Sequence, residues 1–64
     1  MSHAKLRVLV VDDSVVYRKI IRDILSEIPD VETVGVARDG VDALDKIEIH
    51  DPDLVTLDVE MPLL

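Results

Sequence analysis

The sequence predicts an α/β fold in which three short strands alternate with two helices in the order β-α-β-α-β. The run Leu6–Val11 is short, almost continuously apolar and rich in β-branched residues, which is typical of a parallel strand buried on both faces. The apolar residues after it recur every three to four positions, as in an amphipathic helix. Because strands that alternate with helices form parallel sheets through right-handed crossovers, we expect a three-stranded parallel sheet, whose order is 2-1-3 if the first strand is the central one.

The first helix is predicted from capping residues and an apolar stripe. Asp12, Asp13 and Ser14 end the first strand, and each is a residue type that can cap the helix that follows. Pro29-Asp30 is predicted to end it. The stripe that should pack on the sheet consists of Tyr17, Ile20, Ile21, Ile24, Leu25 and Ile28. The residues predicted to face solvent are Arg18, Lys19, Arg22, Asp23 and Glu27.

Two strands and one helix are predicted in the second half of the chain. Val31–Ala37 is a strand interrupted by Gly35, as an edge strand can be. Asp39 can cap a second helix. The residues of that helix expected to point inward are Val41, Ala43, Leu44 and Ile47. Leu54–Leu57 is the third strand, and Asp58 ends it.

Length, charge and cysteine content exclude several classes of protein. The 64 residues can form one small domain at most, with too little buried surface to be comfortably stable alone. A net charge of −7 disfavours direct contact with nucleic acid or an anionic membrane. The absence of cysteine excludes disulfides and thiolate metal sites. No apolar run is long enough to span a membrane, so a cytoplasmic location is expected.

Acidic residues follow two strands that the predicted order places side by side. Asp12 and Asp13 follow the first strand, and Asp58 follows the third. Ligands of open α/β sheets gather at the carboxyl ends of the strands. Carboxylates grouped there repel one another unless a cation is present, and an oxygen-only set of ligands suits Mg²⁺. The alternative is that these residues only cap helices or belong to loops.

Four spaced motifs resemble the response-regulator receiver domain. The segment 8–14, ending in Asp12-Asp13-Ser14, is similar to the first strand and acidic pair of that family. Leu57-Asp58-Val59-Glu60-Met61-Pro62 is similar to its phosphorylation segment. Asp39-Gly40 with Ala43-Leu44 resembles the start of its second helix, and Pro52-Asp53 the entry to its third strand. The resemblance implies that residues 1–64 are the N-terminal half of a receiver, a truncated flavodoxin-like fold.

The resemblance also implies a role for each acidic residue. Asp58 would accept a phosphoryl group from the phosphohistidine of a sensor histidine kinase. Asp13 would ligate Mg²⁺ directly, and Asp12 would do so directly or through a water molecule. Glu60 would contribute its backbone carbonyl.

Among receivers, the segment 56–62 most resembles that of the chemotaxis protein-glutamate methylesterases. The parent protein would then be a hydrolase, whereas these 64 residues alone are not expected to be catalytic. The receiver of a DNA-binding transcriptional regulator is the alternative within the family. A third alternative is a half-domain that only associates with itself and has no role in signalling.

Receivers continue through two further strands, which bring a Ser/Thr and a Lys to the phosphoryl group. Since this sequence stops at Leu64, before those strands and any output domain, we expect an incomplete phosphorylation switch. The third strand, Leu54–Leu57, would have an unpaired apolar edge. We therefore expect a homo-oligomer, most simply a two-fold dimer with strand order 2-1-3-3′-1′-2′.

Overall fold

A three-stranded parallel sheet and two helices make up the described part of the chain, which is residues 5–57 of a computed structural model. The strand order is β2-β1-β3, and both strand pairs are parallel. The elements are β1 (Leu6–Val11), α1 (Val15–Ser26), β2 (Val31–Ala37), α2 (Gly40–His50) and β3 (Leu54–Leu57). The predicted fold and strand order are confirmed. Within residues 5–57, neither helix has the length and apolar character needed to cross a membrane.

The central strand β1 is the core of the molecule. Its residues from Val8 to Val11 are at most 1% exposed. Leu9 and Val11 form one cluster with Ala37 of β2 and Ala43 of α2. Because side chains alternate along a strand, Val8 and Val10 are buried on the opposite face of the sheet. The strand is therefore covered on both faces, as its continuous apolar sequence predicts.

The strand register brings the carboxyl ends of all three strands level with one another. Val11, the last residue of β1, pairs with Ala37 of β2 and with Leu57 of β3. The β1–β2 register shifts by one residue between Val8 and Leu9, so β2 has an extra residue at Val34. The edge position predicted for β2 is thus confirmed, and the irregularity lies beside Gly35.

A side-chain hydrogen bond caps the start of each helix, at a residue predicted as a possible cap. Ser14 Oγ accepts the backbone N–H of Tyr17 at 3.2 Å at the start of α1. Asp39 Oδ1 accepts the backbone N–H of Asp42 at 2.8 Å at the start of α2. Each cap satisfies an amide that has no partner within the helix. Both helix starts are therefore fixed by local sequence.

Hydrogen bonds around Arg7 fix the amino ends of β1 and β3. The backbone N–H of Arg7 donates to Asp53 Oδ2 at 2.9 Å, and the backbone N–H of Asp53 donates to the Arg7 carbonyl at 2.8 Å. The guanidinium Nη1 of Arg7 also donates to the carbonyl of Asp51 at 2.8 Å. Asp51 has a left-handed backbone (φ 48°) and ends α2. These bonds position the entry to β3, and hence its register on β1.

The predicted apolar stripe of α1 packs on the sheet only in part. Ile21 and Leu25 are half-buried, and no residue of α1 is fully buried. The remaining stripe residues are between 44% and 59% exposed, namely Tyr17, Ile20, Ile24 and Ile28. Ile28 also lies beyond the end of α1. A sheet of three strands is too narrow to cover a wide apolar helix face, and periodicity carries no information about that width.

Helix α2 departs from its prediction in the same way. Ala43 is buried, but the other three residues predicted to point inward are exposed: Val41 by 76%, Leu44 by 69% and Ile47 by 37%. The small Ala43 side chain lets α2 approach β1 and β2 closely. The larger residues beside it extend past the sheet.

Replacement of Gly35 should test the packing of α2 on the β2 bulge. A Cβ at Gly35 would lie 3.0 Å from His50 Cδ2 and 3.4 Å from Leu9 Cδ1. We expect Gly35→Ala to lower the free energy of unfolding by about 1 kcal/mol, because a methyl group added to a packed site forces its neighbours to move. Gly40→Ala is the matched control, since nothing lies within 4 Å of its added Cβ. Urea unfolding of both variants measures the difference, and equal midpoints would contradict the predicted contact.

Stability at acidic pH should depend on Asp42. The hydrogen bond from Lys46 Nζ (3.0 Å), together with that from the Arg38 backbone N–H (3.2 Å), holds the Asp42 pKa below its ordinary value of 3.8. A carboxyl whose pKa is lowered by folding stabilises the folded state above its unfolded pKa, and this is lost as the pH falls through the folded value. We expect Asp42→Asn to reduce the acid sensitivity of unfolding below about pH 4. Urea unfolding of both proteins as a function of pH measures the difference, and identical pH profiles would contradict the prediction.

Candidate functional site

The candidate site lies at the carboxyl end of the sheet, where β1 and β3 end side by side. Asp12 and Asp13 follow Val11 directly, and Val11 pairs with Leu57. Asp58 is bonded to Leu57 in the chain, but it lies outside the described residues, as does Glu60. The structure therefore aligns the two strand ends to which Asp12 and Asp58 are attached. Two of the four predicted ligands, Asp12 and Asp13, are within the described part of the chain.

Asp12 is the buried acidic residue of the site, at 4% exposure. Its backbone N–H donates to the Ala37 carbonyl of β2 at 3.0 Å. Its carboxylate oxygen Oδ1 accepts the backbone N–H of Ser14 at 2.9 Å. No residue between 5 and 57 donates a hydrogen bond to the other oxygen, Oδ2. One oxygen thus orients the carboxylate, and the second has no donor among the described residues.

Asp13, by contrast, is exposed. Its carboxylate therefore keeps its hydration shell. Across residues 5–57, no group of three His, Cys, Asp or Glu side chains could hold a metal ion. The described chain therefore supplies a pair of adjacent carboxylates, one oriented by the fold and one facing water.

Arg18 is the residue of this region whose role the sequence analysis missed. It was expected to face solvent with the other charged residues of α1, but it is half-buried. Its guanidinium Nη1 donates to the backbone carbonyl of Asp12 at 2.7 Å. A signal was present in the sequence, since Arg18 lies one helical turn after Ser14, a predicted candidate cap. An arginine there can reach back over the first turn of the helix.

Two other polar residues, Tyr17 and His50, belong to the helices and not to the acidic pair. Tyr17, predicted to pack on the sheet with the apolar stripe, lies in the first turn of α1 with its side chain 59% exposed. His50 is the last residue of α2, and its ring lies over Gly35. Neither residue adds a ligand to the acidic pair.

Comparison with known proteins identifies the family. Residues 8–64 match the response regulator receiver domain family. The chain is 61% identical over 59 residues to a protein-glutamate methylesterase/protein-glutamine glutaminase of Desulfotalea psychrophila, and 56% identical over 59 residues to that of Bacillus subtilis. Each alignment covers 92% of this chain and 16% of the relative. The chain therefore spans about a sixth of the length of these relatives.

A solved structure shows the same likeness in three dimensions. The response regulator domain of Thermotoga maritima CheB superposes with a TM-score of 0.83 at 47% identity, over 94% of this chain and 45% of that one. These relatives are methylesterases, which favours that subfamily over the transcriptional regulators also considered. The chain belongs to the response regulator receiver domain family, and the receivers it resembles in sequence are those of protein-glutamate methylesterases.

Proposed function

We propose that this chain forms the phosphoryl-accepting and metal-binding part of a chemotaxis methylesterase receiver. Asp58 would be the phosphoacceptor, and Asp12, Asp13, Asp58 and the Glu60 carbonyl would hold Mg²⁺. The observation that carries the proposal is the pairing of Val11 with Leu57, which aligns the strand ends that bear Asp12 and Asp58. Family membership supports it independently.

The described residues fit a hard divalent cation. All the proposed ligands are oxygen atoms, which Mg²⁺ prefers, and Mg²⁺ commonly retains several water molecules and binds one or two carboxylates. Asp12 Oδ2 has no hydrogen-bond donor among residues 5–57, and Asp13 is exposed to water. The pair can therefore offer one oriented and one hydrated carboxylate. A bound Mg²⁺ would neutralise charge on the phosphoryl oxygens during transfer.

The proposed reaction is transfer of a phosphoryl group from a histidine of a sensor kinase. A carboxylate oxygen of Asp58 bonds to phosphorus while the phosphorus–nitrogen bond of the phosphohistidine breaks, and the electron pair of that bond stays on the imidazole. The product is an acyl phosphate on Asp58. Phosphoryl transfer of this kind requires positioning and charge neutralisation more than covalent work by the protein. Asp12 and Asp13 would supply both by holding the cation.

The activity of the parent protein is part of the proposal as well. The relatives named above are protein-glutamate methylesterases, of which this chain corresponds to about a sixth. We therefore infer a cytoplasmic parent hydrolase whose receiver is controlled by a sensor histidine kinase. The chain itself would supply the phosphorylation site and not the esterase residues.

Labelling by a small phosphodonor tests the phosphoacceptor. Because the phosphorylation switch is expected to be incomplete, acetyl phosphate with Mg²⁺ should add a phosphoryl group to only a fraction of the unmodified chain, read by intact mass after rapid quenching. Asp58→Asn should abolish the label because the nucleophile is lost, and removal of Mg²⁺ or Asp13→Ala should lower its rate about tenfold or more. Asp45→Asn, on the exposed side of α2, is the matched control and should be labelled normally. Equal labelling of Asp58→Asn, or none of the unmodified chain, would contradict the proposal.

We further propose that the 64-residue chain pairs with a second copy through β3. Within residues 5–57, β3 is hydrogen-bonded to β1 alone, so its other edge has unpaired backbone groups there. Leu54 and Leu57 at this edge are 47% and 62% exposed. Exposed apolar edge strands favour pairing with another strand. A two-fold axis at β3 would make the β3–β3′ pair antiparallel.

A charge placed on β3 should prevent this association. Leu57→Lys introduces a charged side chain at the edge strand, and such residues oppose edge-to-edge pairing. Leu44→Lys on α2 is the matched control, because Leu44 is comparably exposed at 69%. In sedimentation velocity we expect a dimer for the unmodified chain and for Leu44→Lys, and a monomer for Leu57→Lys. A folded monomer of the unmodified chain would refute the dimer, and loss of association only in Leu44→Lys would place the interface on α2.

A further inference from the structure

We propose that Arg18 is a positioning residue for the acidic site: its hydrogen bond to the Asp12 carbonyl holds the β1–α1 turn in the conformation that binds a divalent cation. The inference rests on the proposed function and deepens it. Its basis is the 2.7 Å contact between Arg18 Nη1 and the Asp12 carbonyl oxygen.

Three parts of the fold hold Asp12, and Arg18 is the one contributed by the body of α1. The backbone N–H of Asp12 is bonded to Ala37 of β2, and Oδ1 is bonded to the N–H of Ser14 at the helix cap. The Arg18 guanidinium donates to the Asp12 carbonyl. With these groups taken, only Oδ2 of Asp12 has no partner among the described residues. Loss of the Arg18 bond would free the peptide that joins Asp12 to Asp13.

Arg18 donates to the backbone carbonyl of Asp12 and not to its carboxylate, and this difference matters for a cation site. A guanidinium forms its strongest bonds with carboxylates, often through two N–H groups. A carboxylate held in that way would be a poorer ligand for a cation. In this structure the Oδ1 atom of Asp12 is bonded to a neutral amide, and the Arg18 bond goes to the backbone. The turn is thus held by an arginine while the carboxylates remain available.

The positive charge of Arg18 and its hydrogen bond to the Asp12 carbonyl should have opposite effects on Mg²⁺ affinity, so the positioning role can be tested. Arginine remains protonated in proteins, so its charge alone repels a cation. Removal of the charge should therefore strengthen Mg²⁺ binding, whereas removal of a positioning bond should weaken it. Arg22 provides the comparison, since it lies one turn further along α1, is exposed, and makes no hydrogen bond to residues 12–14 among the described contacts.

The experiment is a Mg²⁺ titration of the full 64-residue chain and three variants. We expect Arg18→Met to weaken binding about 10- to 100-fold, the usual effect of removing a group that orients a metal ligand. Arg18→Lys, which keeps a donor and the charge, should restore part of the affinity. Arg22→Met removes the same charge and should bind as tightly as the unmodified chain or more tightly. An Arg18→Met affinity equal to or above that of Arg22→Met would overturn the proposal.

A second measurement separates this role from the metal site and from general stability. Without metal, amide hydrogen exchange of Ser14, whose N–H is bonded to Asp12 Oδ1, should be about tenfold faster in Arg18→Met than in Arg22→Met. Equal exchange would overturn the role of Arg18. If exchange changes as expected but the unmodified chain does not bind Mg²⁺, the proposed metal site fails while the hold on the turn stands. Urea unfolding gives the folded fraction of Arg18→Met, and the Mg²⁺ affinity is corrected for it. If the folded form then binds Mg²⁺ as tightly as the unmodified chain, the variant is only less stable and the proposal fails.

Discussion

The burial of β1 between two parallel neighbours is the constraint on which the rest of this structure depends. Its residues from Val8 to Val11 are almost completely removed from solvent, and burial of each such side chain contributes about 1.5–3 kcal/mol. Four of the six buried apolar residues between positions 5 and 57 lie in this strand. A shift of one residue would exchange Leu9 and Val11, which pack with Ala37 and Ala43, for the side chains of the other face, so the register depends on the packing of each face.

The acidic site follows from that register. Once Val11 is level with Ala37 and Leu57, the residues that continue β1 and β3 leave the sheet at the same edge. Asp12 can be buried there because neighbouring groups satisfy its backbone and one carboxylate oxygen, which offsets the loss of hydration. The core and the site are thus continuous. A change that loosens the packing of β1 should also disturb the acidic turn.

The narrow sheet has a second consequence, which is the large exposed apolar surface of both helices. Ile24 of α1 and Leu44 of α2 are more than half exposed, although each belongs to an amphipathic pattern. The Thermotoga maritima receiver, of which this chain covers 45%, contains additional chain that could cover such surface. Exposed apolar surface of this extent favours association with further protein. The same surface explains why the helix positions were predicted correctly, whereas burial was predicted correctly only for part of each apolar face.

Periodicity and local capping chemistry were enough to predict the elements, their order along the chain and the cap at Asp39, because these depend on residues a few positions apart. For the first helix they left Asp12, Asp13 and Ser14 as candidate caps, and the structure shows Ser14. Tertiary packing determines which apolar residues are covered, where the β2 register shifts, and that Arg18 contacts the Asp12 carbonyl. Arg7 and Asp53 show the reason, since they are 46 residues apart in the chain and 2.9 Å apart in the fold. Such contacts depend on how elements pack, and a local pattern does not contain that information.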